Sequence, residues 1–102
     1  MIETENKLQI AVTIHEQLGH KCCVMIGATN FMGGNNSLTF KIGRNCKKVT
    51  HVKIELNALD LYNMEFYNIR GAKVKTITEI ENIYADQMHE TIREYTGMST
   101  SL

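Results

Sequence analysis

Leu38-Thr39-Phe40-Lys41-Ile42 and, a little further on, Val52-Lys53-Ile54-Glu55-Leu56 alternate apolar and polar side chains at every step. Successive side chains on a strand point to opposite faces, so this pattern buries one face and wets the other. That is the signature of antiparallel strands over a single core. Strands are expected near 21–28, 37–43, 50–57, 63–70 and 72–78. Gly33-Gly34-Asn35-Asn36, Asn45, Asn57 and Arg70-Gly71 punctuate them.

The chain ends read differently. Over 4–18, Ile10, Ala11, Ile14 and Leu18 share one helical stripe, and Gly19 suits the left-handed position after a helix. Leu8, Ile10, Val12 and Ile14 also alternate, so a strand competes there; the Glu, Gln, Lys, Leu and Ala content favours the helix. Near the other end, Ile80, Ile83, Tyr84, Met88, Ile92 and Tyr95 recur at helical steps. Thr78 and Glu81 offer a capping box and Gly97 a stop. The expected fold is one α+β domain over 1–102: N-terminal helix, a four- or five-stranded, mostly antiparallel sheet, C-terminal helix. Both helices are expected on one sheet face.

Composition excludes several classes. With 102 residues, 43% hydrophobic, the chain can build one modest core unaided. Eleven basic residues balance eleven acidic ones, so overall charge does not call for nucleic acid or an anionic membrane. No apolar run approaches the roughly 20 residues that span a bilayer. The acidic, polar start, Met1-Ile-Glu-Thr-Glu-Asn-Lys7, is unlike a signal peptide. A cytoplasmic protein is expected.

Three cysteines without an export signal argue against a disulfide framework. A zinc reading assembles His20, Cys22, Cys23, Cys46 and His51. Structural zinc sites space their cysteines by two to four residues, whereas Cys22 and Cys23 are adjacent. Small apolar thiols are the simpler reading, and neither metal nor cofactor is expected. Catalytic signatures are equally thin. His15, His20, His51 and His89 follow no metalloprotease spacing, and no nucleophile elbow or P-loop occurs. Asp60 and Glu65 are a pair of charges in a turn and strand, where Asn57 or Asp60 bonds local amides. A non-enzymatic protein is expected.

Two regions stand out as binding candidates. The stretch Ile26–Asn36 reads as a long Gly/Asn-rich loop joining the first two strands. Thr29, Asn30, Asn35 and Asn36 supply short polar groups, and Phe31 is either a partner anchor or a plug in the core. The second region is basic. Between 41 and 75 stand Lys41, Arg44, Lys47, Lys48, Lys53, Arg70, Lys73 and Lys75 against Glu55, Asp60 and Glu65, and the last helix is acidic. Lys41 and Lys53, with Lys75 a candidate third, would share the open sheet face beside the Arg44–Lys48 turn, where phosphates could sit. The plainer alternative is lysines that keep the face soluble. Arg70 is expected to point towards the 27–36 loop, ready for a carboxylate or phosphate.

Several segments together carry a resemblance. They are Ile14-His-Glu-Gln-Leu-Gly19, Met25-Ile-Gly-Ala-Thr-Asn-Phe31, Leu38-x-Phe40-x-Ile42, Val52-x-Ile54-x-Leu56-Asn57 and Asp60-x-Tyr62-x-x-Glu65-Phe66. Ile69-Arg70-Gly71, Tyr84-Ala85-Asp86 and Thr96-Gly97-x-x-x-Ser101-Leu102 complete the set. In these the chain resembles a family of small uncharacterised proteins encoded by bacteriophages and mobile elements. The cysteines and His20 are not part of that pattern. The resemblance implies a protein acting in the bacterial host's cytoplasm. It would inhibit host defence by binding a host protein, as anti-CRISPR proteins do, or by sequestering a small signalling molecule. A nucleic-acid binder using the basic sheet face is the alternative, and a homodimer through exposed sheet edges or the first helix is compatible with either.

Overall fold

The computed structural model describes residues 2–34, 36–45 and 47–98, with side chains from residue 10 onward. Its elements are α1 (Ile2–Leu18), α2 (His20–Met25), β1 (Thr29–Gly33), β2 (Ser37–Lys41), β3 (His51–Leu56), β4 (Tyr62–Arg70), β5 (Lys73–Ile83) and α3 (Met88–Thr96). A 3₁₀ turn, Ala85–Gln87, leads into α3. The five strands form one antiparallel sheet in sequence order, so the fold is α+β as expected.

The alternation at 38–42 and 52–56 does what its period demands. Leu38, Phe40, Val52, Ile54, Met64 and Phe66 are buried on one sheet face, in register across β2, β3 and β4. Ala11, Ile14 and Leu18 of α1 and Met88 and Ile92 of α3 lie in the same hydrophobic core. Gly19 (φ +87°) and Gly97 (φ +73°) end α1 and α3. Their amides donate to His15 O at 3.0 Å and Arg93 O at 2.9 Å. His89 Nε2 bonds the last carbonyl of α1, Leu18 O, and so joins the two helices. No helix among the described residues is long and apolar enough to cross a membrane.

Three expectations are corrected. The strand expected at 21–28 is helix α2, because Leu18, Cys22 and Ile26 follow one another at four-residue steps and all three are buried. The long loop expected at 27–36 contains strand β1, Thr29–Gly33. The last helix does not start near Thr78. Ile80 and Ile83 are strand residues facing Met64 and Tyr62 across the β4–β5 ladder. The turn into α3 is closed by Gln87, whose Oε1 accepts the Tyr84 amide at 3.1 Å.

Cys22 and Cys23 are buried free thiols. Burial, reinforced by the neighbouring Cys23, pushes the Cys22 thiol from 9.0 up to about 11. The folded protein therefore keeps this proton where the unfolded chain loses it. Its contribution to stability is full below pH 9 and is lost as pH rises from about 9 towards about 11. Tyr62, raised by burial, acts in the same direction. Urea unfolding at pH 8.5 and 10.5 should show the wild type losing stability, and Cys22→Ala losing less over the same interval.

Candidate functional site

The β2–β3 connection, residues 42–50, is held by side-chain amides. Asn45 Nδ2 donates to Gly43 O at 3.0 Å and to Val49 O at 2.7 Å, while Asn45 Oδ1 accepts the Val49 amide at 3.0 Å. Asn68 Nδ2, from β4, donates to Lys48 O at 2.7 Å. Thr50 Oγ1 accepts the Ile69 amide at 2.8 Å and lies 2.9 Å from His51 Nδ1. At the other side, the Gly43 amide donates to Ile26 O at 2.8 Å. Asparagine reaches backbone groups a few residues away without needing a helix or ladder, which suits it to fixing an irregular loop. Asn45→Ala removes three such bonds, so it should cost about 2 kcal/mol in chemical unfolding. The loss is expected even though no apolar contact changes.

The loop so fixed and the end of β4 form a cleft of about 510 Å³, lined by Lys41, Arg44, Lys48 and Arg70 with Asn45, Thr50 and Asn68 among its polar groups. No carboxylate is among the described residues that line it. The single ion pair among the described residues lies elsewhere, Lys53 Nζ to Glu55 Oε2 at 3.9 Å, so none of the four cations is neutralised by a carboxylate neighbour. Burial, and then the charge of Lys41, lowers the pKa of His51, the first residue of β3, which favours its neutral form. Four cations without a carboxylate neighbour make a receptor for an anion. Arginine in particular offers paired donors to phosphate or carboxylate oxygens.

The sequence candidates therefore separate. Lys41, Arg44, Lys48 and Arg70 come together. Lys47 is exposed on the same loop but does not line the cleft. Arg70 lines the cleft with the 42–50 loop, not the 27–36 segment expected to receive it, because β4 pairs with β3 and β5 and is separated from β1 by both β2 and β3. Lys53 shares the open sheet face with Lys41, but it sits between Glu55 on its own strand and Glu65 opposite, which itself opposes Glu79. That part of the face is mixed in charge. Lys75 does not join it: paired with Asn68, it lies on the same side of the sheet as Phe66 and Arg70, whereas Lys41 meets the cleft from the end of β2.

Thr29 pairs with Lys41 at the start of β1, and Asn30 takes a positive φ of +54° at the irregularity that follows. Phe31 is neither a free anchor nor fully core. It is 40% exposed, with its ring edge-on to His15 at 4.9 Å and 5.5 Å from the Phe40 ring. Asn36 serves the fold, its Nδ2 donating to Leu56 O at 2.9 Å. Asn35, and Cys46 of the zinc reading, lie outside the described residues. Among the described residues no three His, Cys, Asp or Glu side chains are grouped to hold a metal. Asp60 sits in a turn with φ +61°, where Asn57 Oδ1 accepts the amides of Leu59 and Leu61 at 2.8 and 3.2 Å.

Sequence reading missed Thr50 and Asn68 as parts of the site. Neither carries charge, and only the β3–β4 register brings them to the loop. Comparison with protein-family models, curated proteins and solved structures returned no match.

Proposed function

We propose that this is a non-enzymatic binding protein of phage or mobile-element origin, acting in the bacterial cytoplasm, whose ligand carries phosphate and sits in the basic cleft. The observation that carries the reading is the convergence of Lys41, Arg44, Lys48 and Arg70 on one cleft without a lining carboxylate among the described residues. The fixed loop supports it as well. A loop backbone already braced by Asn45 and Asn68 loses little freedom when an anion arrives. The described lining offers charge and hydrogen-bond donors but no carboxylate, imidazole or thiol for proton transfer, which favours capture over turnover. The phage setting rests on the sequence resemblance, and inhibition of host defence by holding a phosphorylated molecule needs capture alone.

The test is calorimetric titration with inorganic tripolyphosphate at about 20 mM salt, where surface charges are weakly screened. Saturable binding that weakens with salt is expected. Absence of binding under these conditions would overturn the reading.

A further inference from the structure

The cationic surface does not stop at the cleft. β3 leaves the sheet at the His51–Tyr67 pair, so beyond Tyr67 strand β4 continues with β5 alone as a two-stranded ribbon. Gly71-Ala72 turns it, with Gly71 at φ +57°, and residues 70–76 are exposed throughout. Directly paired residues share a face. The pairs Asn68–Lys75 and Arg70–Lys73 therefore put Arg70, Lys73 and Lys75 on the side that lines the cleft, and Ile69 and Val74 on the other.

The two segments that build this end of the molecule, 41–52 and 66–78, contain seven of the chain's eleven Lys and Arg residues and no Asp or Glu. The opposite end of β5 has the other sign. Glu81, Glu90 and Glu94 line a groove between the strand and α3. The neutral total conceals a molecule with one basic end and one acidic end.

We propose that the cleft and the ribbon together bind the sugar-phosphate backbone of duplex DNA, with the ribbon entering the major groove and the 42–50 loop clasping the adjacent strand. This rests on the reading of the cleft as a phosphate site and extends it. A single nucleotide would occupy the cleft and leave Lys73 and Lys75 unused. A duplex, with one charge per about 1.7 Å of axis, reaches both. A two-stranded ribbon is among the elements that the major groove admits. A single strand fits less well, because binding it relies on aromatic stacking. Neither the described cleft lining nor residues 68–76 contain an aromatic side chain. The acidic groove is repelled by DNA and so orients the protein with its basic end inward.

Fluorescence anisotropy with a 20-base-pair duplex and the matching single strand tests this, across a salt series starting near 20 mM. Six cations (Lys41, Arg44, Lys48, Arg70, Lys73 and Lys75) give an expected log–log salt slope of about −5 for the duplex, with tighter binding than the single strand. Lys73→Ala/Lys75→Ala changes only exposed ribbon residues. It should reduce the slope by about 2 while leaving tripolyphosphate binding in the cleft unchanged. A variant slope equal to that of the wild type overturns the proposal, as does single-strand binding as tight as duplex binding. Tripolyphosphate binding without duplex binding would remove the ribbon's role and leave the phosphate cleft standing. Loss of both would remove both.

Discussion

Arg44→Ala/Arg70→Ala should weaken tripolyphosphate binding about 100-fold at low salt, with a melting temperature within about 3 °C of the wild type. Each guanidinium donates to a charged acceptor, a contact worth about 1.5–3 kcal/mol. Both side chains are exposed, so screening reduces their sum to roughly 2.7 kcal/mol, which is the stated factor. Stability should hardly change because neither side chain has an ion-pair partner among the described residues to lose. Fold support comes instead from the Asn45 and Asn68 amides bonded to the loop backbone. Arg44→Lys/Arg70→Lys keeps the charge and gives up the paired donors, so it should fall between wild type and the alanine variant.

Phe66→Ala should cost about 3–5 kcal/mol in urea unfolding, the range for deleting a buried aromatic side chain. Phe66 is fully buried at the centre of β4, and its ring lies 5.7 Å from that of Tyr95 on α3. Removing it opens a cavity where the sheet meets the last helix. A domain of this size has about 5–15 kcal/mol of stability in all, so the variant should retain only part of its folded population at 37 °C. Anion binding at room temperature should survive in the folded fraction, since Phe66 does not line the cleft.

How far the residues disclosed this structure depended on what decides each element. β2 and β3 were legible because one face is fully buried, and burial writes a period of two into the chain. β1 was not. All five of its residues are exposed at the sheet edge, so no buried face imposes alternation. The boundary between β5 and α3 was misplaced for a more specific reason. Met64 faces Ile80 and Tyr62 faces Ile83, so two steps on β4 oppose three on β5. Asn82, at φ +59°, takes up the extra residue. Asn63 Oδ1 accepts its amide at 3.1 Å, and Asn57 Nδ2 donates to Asn82 Oδ1 at 2.9 Å. A bulged strand thus carries core-packed apolar residues at a three-residue step, which in sequence is indistinguishable from one turn of a helix.

Site legibility divides in the same way. Charge is visible in composition, so Lys41, Arg44, Lys48 and Arg70 could be named in advance. Their convergence needed strand register, and so did the separation of Lys53 into a face shared with Glu55 and Glu65. The two neutral residues that tie the loop to β4, Thr50 at the loop's end and Asn68 on the strand, have no signal of their own.

The proposed anion site lies between the 42–50 loop and the end of β4. Amide chemical-shift mapping during a tripolyphosphate titration addresses it directly. The expected result is a cluster of saturable shifts at Gly43, Arg44, Asn45, Lys48, Asn68 and Arg70, with β1 and α3 unchanged. Saturable shifts confined to β1, α3 or the Lys53 face, with the loop silent, would contradict it.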